Sequence, residues 1–211
     1  MMPPRMAPAS TPTPARLRAR QNRKQSRDRI VAAATELVRK RAYSELSVDE
    51  VMREAGIGRT IFYRHFDDMA DLLLRASREA IEELYDAQRS LAQARADVDP
   101  EAVGRAVQAA AVVFQRHGPL IRCVTEAAAE DEQIARDYAV LRQRFDDFAE
   151  QSLREAADLG RNPPADLAET ARALNLMNVS YLLDVFGREP RVSPETAAQT
   201  LTEIWDAVIR R

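Results

Sequence analysis

The stretch from Ser47 to Phe66 limits the possible folds more than any other, because two short runs of helical period are separated there by a pair of glycines. Ser47 with Glu50 three residues later makes a capping box, and Val48, Val51, Met52 and Ala55 then fall at i, i+3, i+4 and i+7, one face of a short helix. Gly56 suits the left-handed residue that ends such a helix. Gly58 can act as the next N-cap, and from Arg59 to Phe66 a second run holds Phe62 and Phe66 inward, four residues apart. Upstream, Ile30, Ala33, Ala34, Leu37 and Val38 repeat at helical spacing between Ser26 and about Lys40, a third helix to support the two short ones. The spacing predicts a three-helix head whose last two helices form a helix-turn-helix.

The remainder also reads as helix. Asp67 and Asp68 open a connector of roughly 25 residues, with Leu72, Leu73, Ala76, Ala80, Leu84 and Leu91 as its apolar stripe. Asp99-Pro100 starts the next helix and His117-Gly118-Pro119 stops it; Leu120 to Ala129 is short, Asp131 to Leu159 long, and Leu167 to Phe186 ends at Gly187. Ser193-Pro194 caps the last, where Leu201, Ile204, Trp205, Val208 and Ile209 share a face. No segment shows the alternating Val/Ile/Thr pattern of a strand, so the expectation is an all-α chain of about nine helices, three in the head and six in the body. Residues 1–24 lack apolar periodicity and read as a disordered basic arm, 25–67 as the helix-turn-helix domain, and 68–211 as the helical body.

Charge gives the molecule a direction. Through Phe66 there are 14 Lys and Arg against 6 Asp and Glu, whereas the rest carries 17 against 27. A basic end and an acidic remainder orient the chain head-first toward a polyanion. The outward side of the second short helix carries Arg59, Thr60, Ile61, Tyr63 and Arg64, groups that read base edges and grip phosphates. Double-stranded DNA is thus the expected partner, and the arginine-rich arm is expected to follow its phosphates. The two histidines, the single Cys123 and the lack of a glycine-rich phosphate loop leave no catalytic set, no metal set and no cofactor motif, so no enzyme is expected. No apolar run approaches a membrane span and no signal-peptide core opens the chain, which makes a cytoplasmic setting the expectation.

In its head string Ala-Gly-Ile-Gly-Arg-Thr-Ile-Phe-Tyr-Arg-His-Phe (residues 55–66) and its helical body, the chain resembles the TetR family of one-component transcriptional regulators. The run Ala173-Leu-Asn-Leu-Met-Asn178, with Trp205 beyond it, resembles the body of a mycobacterial repressor of that family. The resemblance implies that Ser47, Tyr63 and His65 contact phosphate and that Arg59, Thr60, Ile61 and Arg64 face bases, with Phe62 and Phe66 in the core. One position departs: where the family commonly opens the connector with a phosphate-contacting Lys, this chain has Met69.

In the body, Asn175 and Asn178 share a helical face inside an apolar run, and a buried amide without partners costs on the order of 1–3 kcal/mol. One reading puts them in a cavity for a small hydrophobic effector, lined by some of Phe114, Tyr138, Phe145, Phe148, Met177, Tyr181, Leu183, Phe186 and Trp205, and the resemblance supports the two asparagines, Phe114 and Trp205 and places Tyr138 and Phe145 there as well. The other is an aromatic core with the amides bonded internally or across a dimer seam. The expected function is a homodimeric repressor on a palindromic operator, released by the effector, and the resemblance implies pairing through the last two helices. The rival is an effector-less DNA-binding or partner-binding protein with the same head.

Overall fold

Helix is the regular structure throughout the residues described by the computed structural model, 13–94, 102–158, 160–162 and 164–209. The elements are α1 (Pro14–Lys40), α2 (Val48–Ala55), α3 (Met69–Ala76), α4 (Arg78–Ala94), α5 (Ala102–Glu130), α6 (Glu132–Asp158), α7 (Leu167–Phe186) and α8 (Pro194–Ile209), with 3-10 helices at Tyr43–Glu45 and Arg59–Arg64. The all-α expectation holds, and the second short helix of the head is the 3-10 segment. The ends of α6, α7 and α8 fall within a residue or so of those read from the sequence. Asp131 Oδ1 accepts from the N–H groups of Gln133 and Ile134, Asp166 Oδ1 from Glu169, and Ser193 Oγ from Thr196, so each start is set by a side-chain cap.

Three segments differ from the expectation. Residues 14–24, read as part of a disordered arm, are the first turns of α1; residues 1–12 lie outside the described residues. Pro14 sits where its missing N–H does no harm, and Ala, Arg, Leu, Gln and Lys follow without a breaker. Extending a helix already anchored by Ile30, Ala34 and Val38 needs no new nucleus.

The connector is two helices, because the buried Ser77 hydroxyl donates to the carbonyls of Leu73 (2.9 Å) and Leu74 (3.1 Å) and interrupts the run there. The third difference is α5, which passes straight through His117-Gly118-Pro119. Gly118 is there for space rather than for a turn: a Cβ would stand 2.3 Å from the Phe186 carbonyl oxygen of α7. Pro119 gives up one helical hydrogen bond inside a long element held on several sides.

The helix α5 is the axis of the body, packing on α4, α6, α7 and α8 and, toward its C-terminal end, on α1 and α3. The core divides accordingly. Ile30, Val51, Met52, Phe62, Phe66 and Leu72 form the head cluster. Phe114, Leu153, Leu174, Phe186, Leu201 and Trp205 belong to the body cluster. Between them, Val38 from α1, Leu73 from α3, Leu120, Cys123, Val124 and Ala127 from α5 and Ile134 from α6 form a third cluster, the seam of head and body.

Candidate nucleic-acid interface and effector cavity

The geometry of the head follows from its turn. Gly56 ends α2 at φ 63°, ψ 36°, and the Ile57 N–H returns to the Met52 carbonyl at 3.1 Å, reversing the chain into the 3-10 helix. Arg29 of α1 clamps the turn from behind, its Nη2 donating to the Ala55 carbonyl at 2.6 Å. Phe62 is fully buried, and the Tyr63 ring packs edge-on against it while remaining 53% exposed. Thr60, Tyr63 and Arg64 face solvent, as expected of an outward surface.

Arg59 is exposed but engaged, with Nη1 bridging both carboxylate oxygens of Asp49 at 2.8 and 2.9 Å and Nη2 donating to the Tyr63 hydroxyl at 3.4 Å. Ser47 is occupied as the cap of α2: its Oγ accepts from the Glu50 N–H and donates to the Glu50 carboxylate, which that bond holds below its ordinary pKa. Ile61 divides its surface between the head cluster and the open groove beside α1. Met69, at the departing position, packs on both the head and the seam clusters as an apolar residue.

His65 is half-buried, with Nε2 2.8 Å from Ser26 Oγ. The Ser26 hydroxyl also donates to the Arg23 carbonyl at 3.0 Å, which favours the tautomer in which the ring donates through Nε2. Burial first, and then the charges of Arg23, Arg27 and Arg64, lower its pKa. A groove of about 690 Å³ runs between the N-terminal part of α1 and this corner, with Arg20, Arg23 and Arg29 on one wall and Ile61, Arg64 and His65 on the other.

The body holds a second, smaller space of about 100 Å³, lined by residues of α4 to α8 that include Phe145, Phe148, Asn175, Asn178 and Trp205. Asn175 Nδ2 donates to Asp146 Oδ1 at 2.9 Å, and Asn178 Oδ1 accepts from Trp205 Nε1 at 3.3 Å. Each amide therefore has a side-chain partner from a neighbouring helix. Phe114 and Leu183 pack in the body cluster instead of lining this space, and Tyr138 packs in the seam. Helical spacing put Tyr138 and Phe145, seven residues apart, on one face of α6, but two turns along that helix separate the seam from the cavity.

Arg122, on α5, joins the two regions and was not singled out from the sequence. Its Nε donates to the Gly187 carbonyl at 2.9 Å, its Nη2 to the carbonyls of Val38 (2.8 Å) and Arg41 (2.9 Å), and its Nη1 pairs with Glu126. One guanidinium thus satisfies backbone at the C-terminal ends of α1 and α7, the negative poles of both helices. Glu126 in turn accepts from the Tyr43 N–H at 2.9 Å. The only trace of this in the sequence is a charge within the apolar run Leu120-Ile121-Arg122-Cys123-Val124.

Comparison with known proteins decides the family. Residues 30–76 match the family model described as "Bacterial regulatory proteins, tetR family". The HTH-type transcriptional regulator EthR of Mycobacterium tuberculosis is 30% identical over 181 residues, 83% of this chain and 83% of the relative. The chain belongs to the TetR family. As a TetR-family member it is a helix-turn-helix transcriptional regulator, and its likeness to EthR extends well beyond the body run that carried the mycobacterial resemblance. Among solved structures, the TetR-family regulator PfmR from Thermus thermophilus superposes with a TM-score of 0.71 at 22% identity, covering 87% of this chain and 97% of that one. A transcriptional regulator from Saccharomonospora viridis, solved in complex with choline, has a TM-score of 0.68 at 20% identity and covers 87% and 96%. Both share this TetR fold. Among the described residues no helix is long and apolar enough to cross a membrane, and no group of three or more His, Cys, Asp and Glu side chains is placed to hold a metal ion.

Proposed function

We propose that this regulator is a dimeric cytoplasmic repressor, without catalytic activity, that binds a palindromic operator and is released by a small hydrophobic effector. Residues 25–67 act as the DNA-binding part and 68–211 as the effector-binding and dimerisation part. Tyr63, Ser47 and His65 contact phosphates, and Arg59, Thr60, Ile61 and Arg64 face bases. Arg59 must exchange Asp49 for DNA to do so, which an exposed ion pair allows at little cost.

The observation that carries the effector reading is the placement of α7. It supplies Asn175 and Asn178 to the cavity, and the carbonyl just beyond its C-terminus is held by the same guanidinium that holds the end of α1. The cavity is far below the roughly 300–1,000 Å³ of ligand pockets, so an effector enters only by spreading the body helices. A change of that kind displaces α7 and, through Arg122, reaches the head. A 100-fold loss of operator affinity requires about 2.7 kcal/mol of differential effector binding between two head spacings. Dimerisation through α7 and α8 is supported by exposed small and apolar side chains on them: Ala173, Leu176 and Ser180, and Thr200, Ile204 and Ala207. Two heads so joined read half-sites about 34–36 Å apart, or a multiple of that.

A titration of operator duplex at fixed salt tests the head: Tyr63→Phe and Arg64→Ala both weaken binding, the second also relaxing base preference, and unchanged affinity in both removes the assignment. For the body, Asn178→Ala is expected to abolish effector response while sparing DNA binding. The small cavity and the internally bonded amides favour a second reading, a regulator without an effector. A thermal-shift screen with lipophilic compounds separates the two, since only a ligand-binding body gains stability with ligand concentration.

A further inference from the structure

The groove of about 690 Å³ beside the recognition element has its other wall on α1, outside the helix-turn-helix proper. From Pro14 to Arg27, about four helical turns, the chain carries Arg16, Arg18, Arg20, Arg23, Lys24 and Arg27 and no carboxylate. Residues 17–25 are exposed on every side, so no apolar packing explains why the helix continues there. Arg20, Arg23 and Arg27 follow one another at i, i+3 and i+7, a single stripe spread over about 10 Å of helix axis. That length spans about three phosphates of one B-DNA strand. The facing wall is the recognition element itself, through Ile61, Arg64 and His65, and among the described residues no acidic side chain lines the groove. Arg23, Arg27 and Arg64 all reinforce the lowering of the His65 pKa that burial begins, an independent sign that positive charge converges on this corner.

We propose that this groove seats the sugar–phosphate backbone of one operator strand, with the recognition helix on its major-groove side and the N-terminal half of α1 on the other. The inference rests on the DNA-contact reading of Tyr63 and Arg64 and adds a second contact surface to it. α1 then neutralises phosphates beyond the reach of the helix-turn-helix, and it does so without reading sequence, because guanidiniums on a backbone carry no base information. It also supplies what Met69 does not, a cation against phosphate near the start of the connector.

The test uses the full chain and a duplex operator selected from random DNA with the wild-type protein. Arg20→Gln/Arg23→Gln keeps helix-forming side chains of similar length, and an unchanged melting temperature verifies that α1 and the head remain intact. Anisotropy titrations across a salt series are expected to show the slope of log K against log salt falling by about 1.8 per protomer, and affinity at 0.1 M salt falling about 60-fold for each protomer bound. The ranking of base-substituted operators stays as in the wild type, whereas Arg64→Ala reorders it. Hydroxyl-radical protection beyond the recognition site is lost in the double variant. A slope equal to the wild-type value, or a reordered ranking with no loss of slope, overturns the proposal, and the second result would assign these arginines to base reading. If the wild-type chain itself selects no operator, the contact reading of Tyr63 and Arg64 fails first and this proposal with it.

Discussion

Replacing Arg122 by methionine keeps most of the apolar stem of the side chain and removes its five N–H donors, so it isolates what the guanidinium does. Two of the bonds it breaks, to the carbonyls of Gly187 and Val38, are buried, and the carbonyl of the exposed Arg41 can turn to water. An orphaned buried acceptor costs about 1–3 kcal/mol. The two together match the roughly 3–5 kcal/mol expected when one partner of a buried ionic cluster is deleted. Glu126, with its side chain 34% exposed, rehydrates and adds little. For a chain of this size 1 kcal/mol shifts the melting temperature by about 2–4 °C, which gives a fall of about 6–20 °C. Glu126→Gln is the control. Its amide keeps one acceptor oxygen, enough for the Tyr43 N–H or for Arg122 Nη1 but not for both in their present places, and with the site part-exposed it is expected to cost about 1–2 kcal/mol. Melting followed by circular dichroism at equal protein concentration reads both variants. An Arg122→Met protein that melts within 2 °C of wild type, or a Glu126→Gln protein that falls as far, refutes the claim that the backbone bonds of Arg122 hold the helix ends together.

Two further outcomes follow from α5. Alanine at position 118 suits a helix better than glycine by about 1 kcal/mol, yet its Cβ would meet the Phe186 carbonyl at 2.3 Å; Gly118→Ala is therefore expected to destabilise by about 1–3 kcal/mol in urea unfolding, and a stabilised variant would show that α7 does not approach so closely. Cys123 is buried and its thiol is pushed up to about 12 by that burial, so it should resist aromatic disulfide reagents at pH 8 in the folded chain and react at once in denaturant; rapid labelling of the native protein would contradict a closed seam.

Periodicity and capping residues made most of the fold legible. The starts of α6 and α8 were marked by Asp131 and Ser193-Pro194, the end of α7 by Gly187, and the head by the capping box and Gly56, because these signals act within a few residues of where they stand. What escaped was set by contacts distant in sequence. His117-Gly118-Pro119 looks like a stop until Phe186 is known to press on Gly118, and nothing local says that Ser77 turns its hydroxyl back onto its own helix. In the candidate site, Phe145, Asn175, Asn178 and Trp205 do meet around one cavity. Tyr138 and Phe114 do not, since a shared face on a long helix says nothing of which neighbour each turn meets. Asp146 was missed as the partner of Asn175, and Arg122 and Arg29 were missed because a single arginine looks alike on a solvated face and beneath a helix end.

The seam cluster bears on how such regulators can be recombined. Val38 and Leu120 belong to regions that a designer would cut apart, yet both are buried in the same cluster, and Arg122 reaches across to the carbonyls of Val38 and Arg41. A chimaera that grafts this head onto another body at residue 67 inherits one half of that packing and one half of that hydrogen bonding. Swapping specificity between relatives therefore calls for moving residues 38–46 and 120–127 as a matched set, or for transplanting only the outward side chains of Arg59–Arg64 and leaving the junction alone.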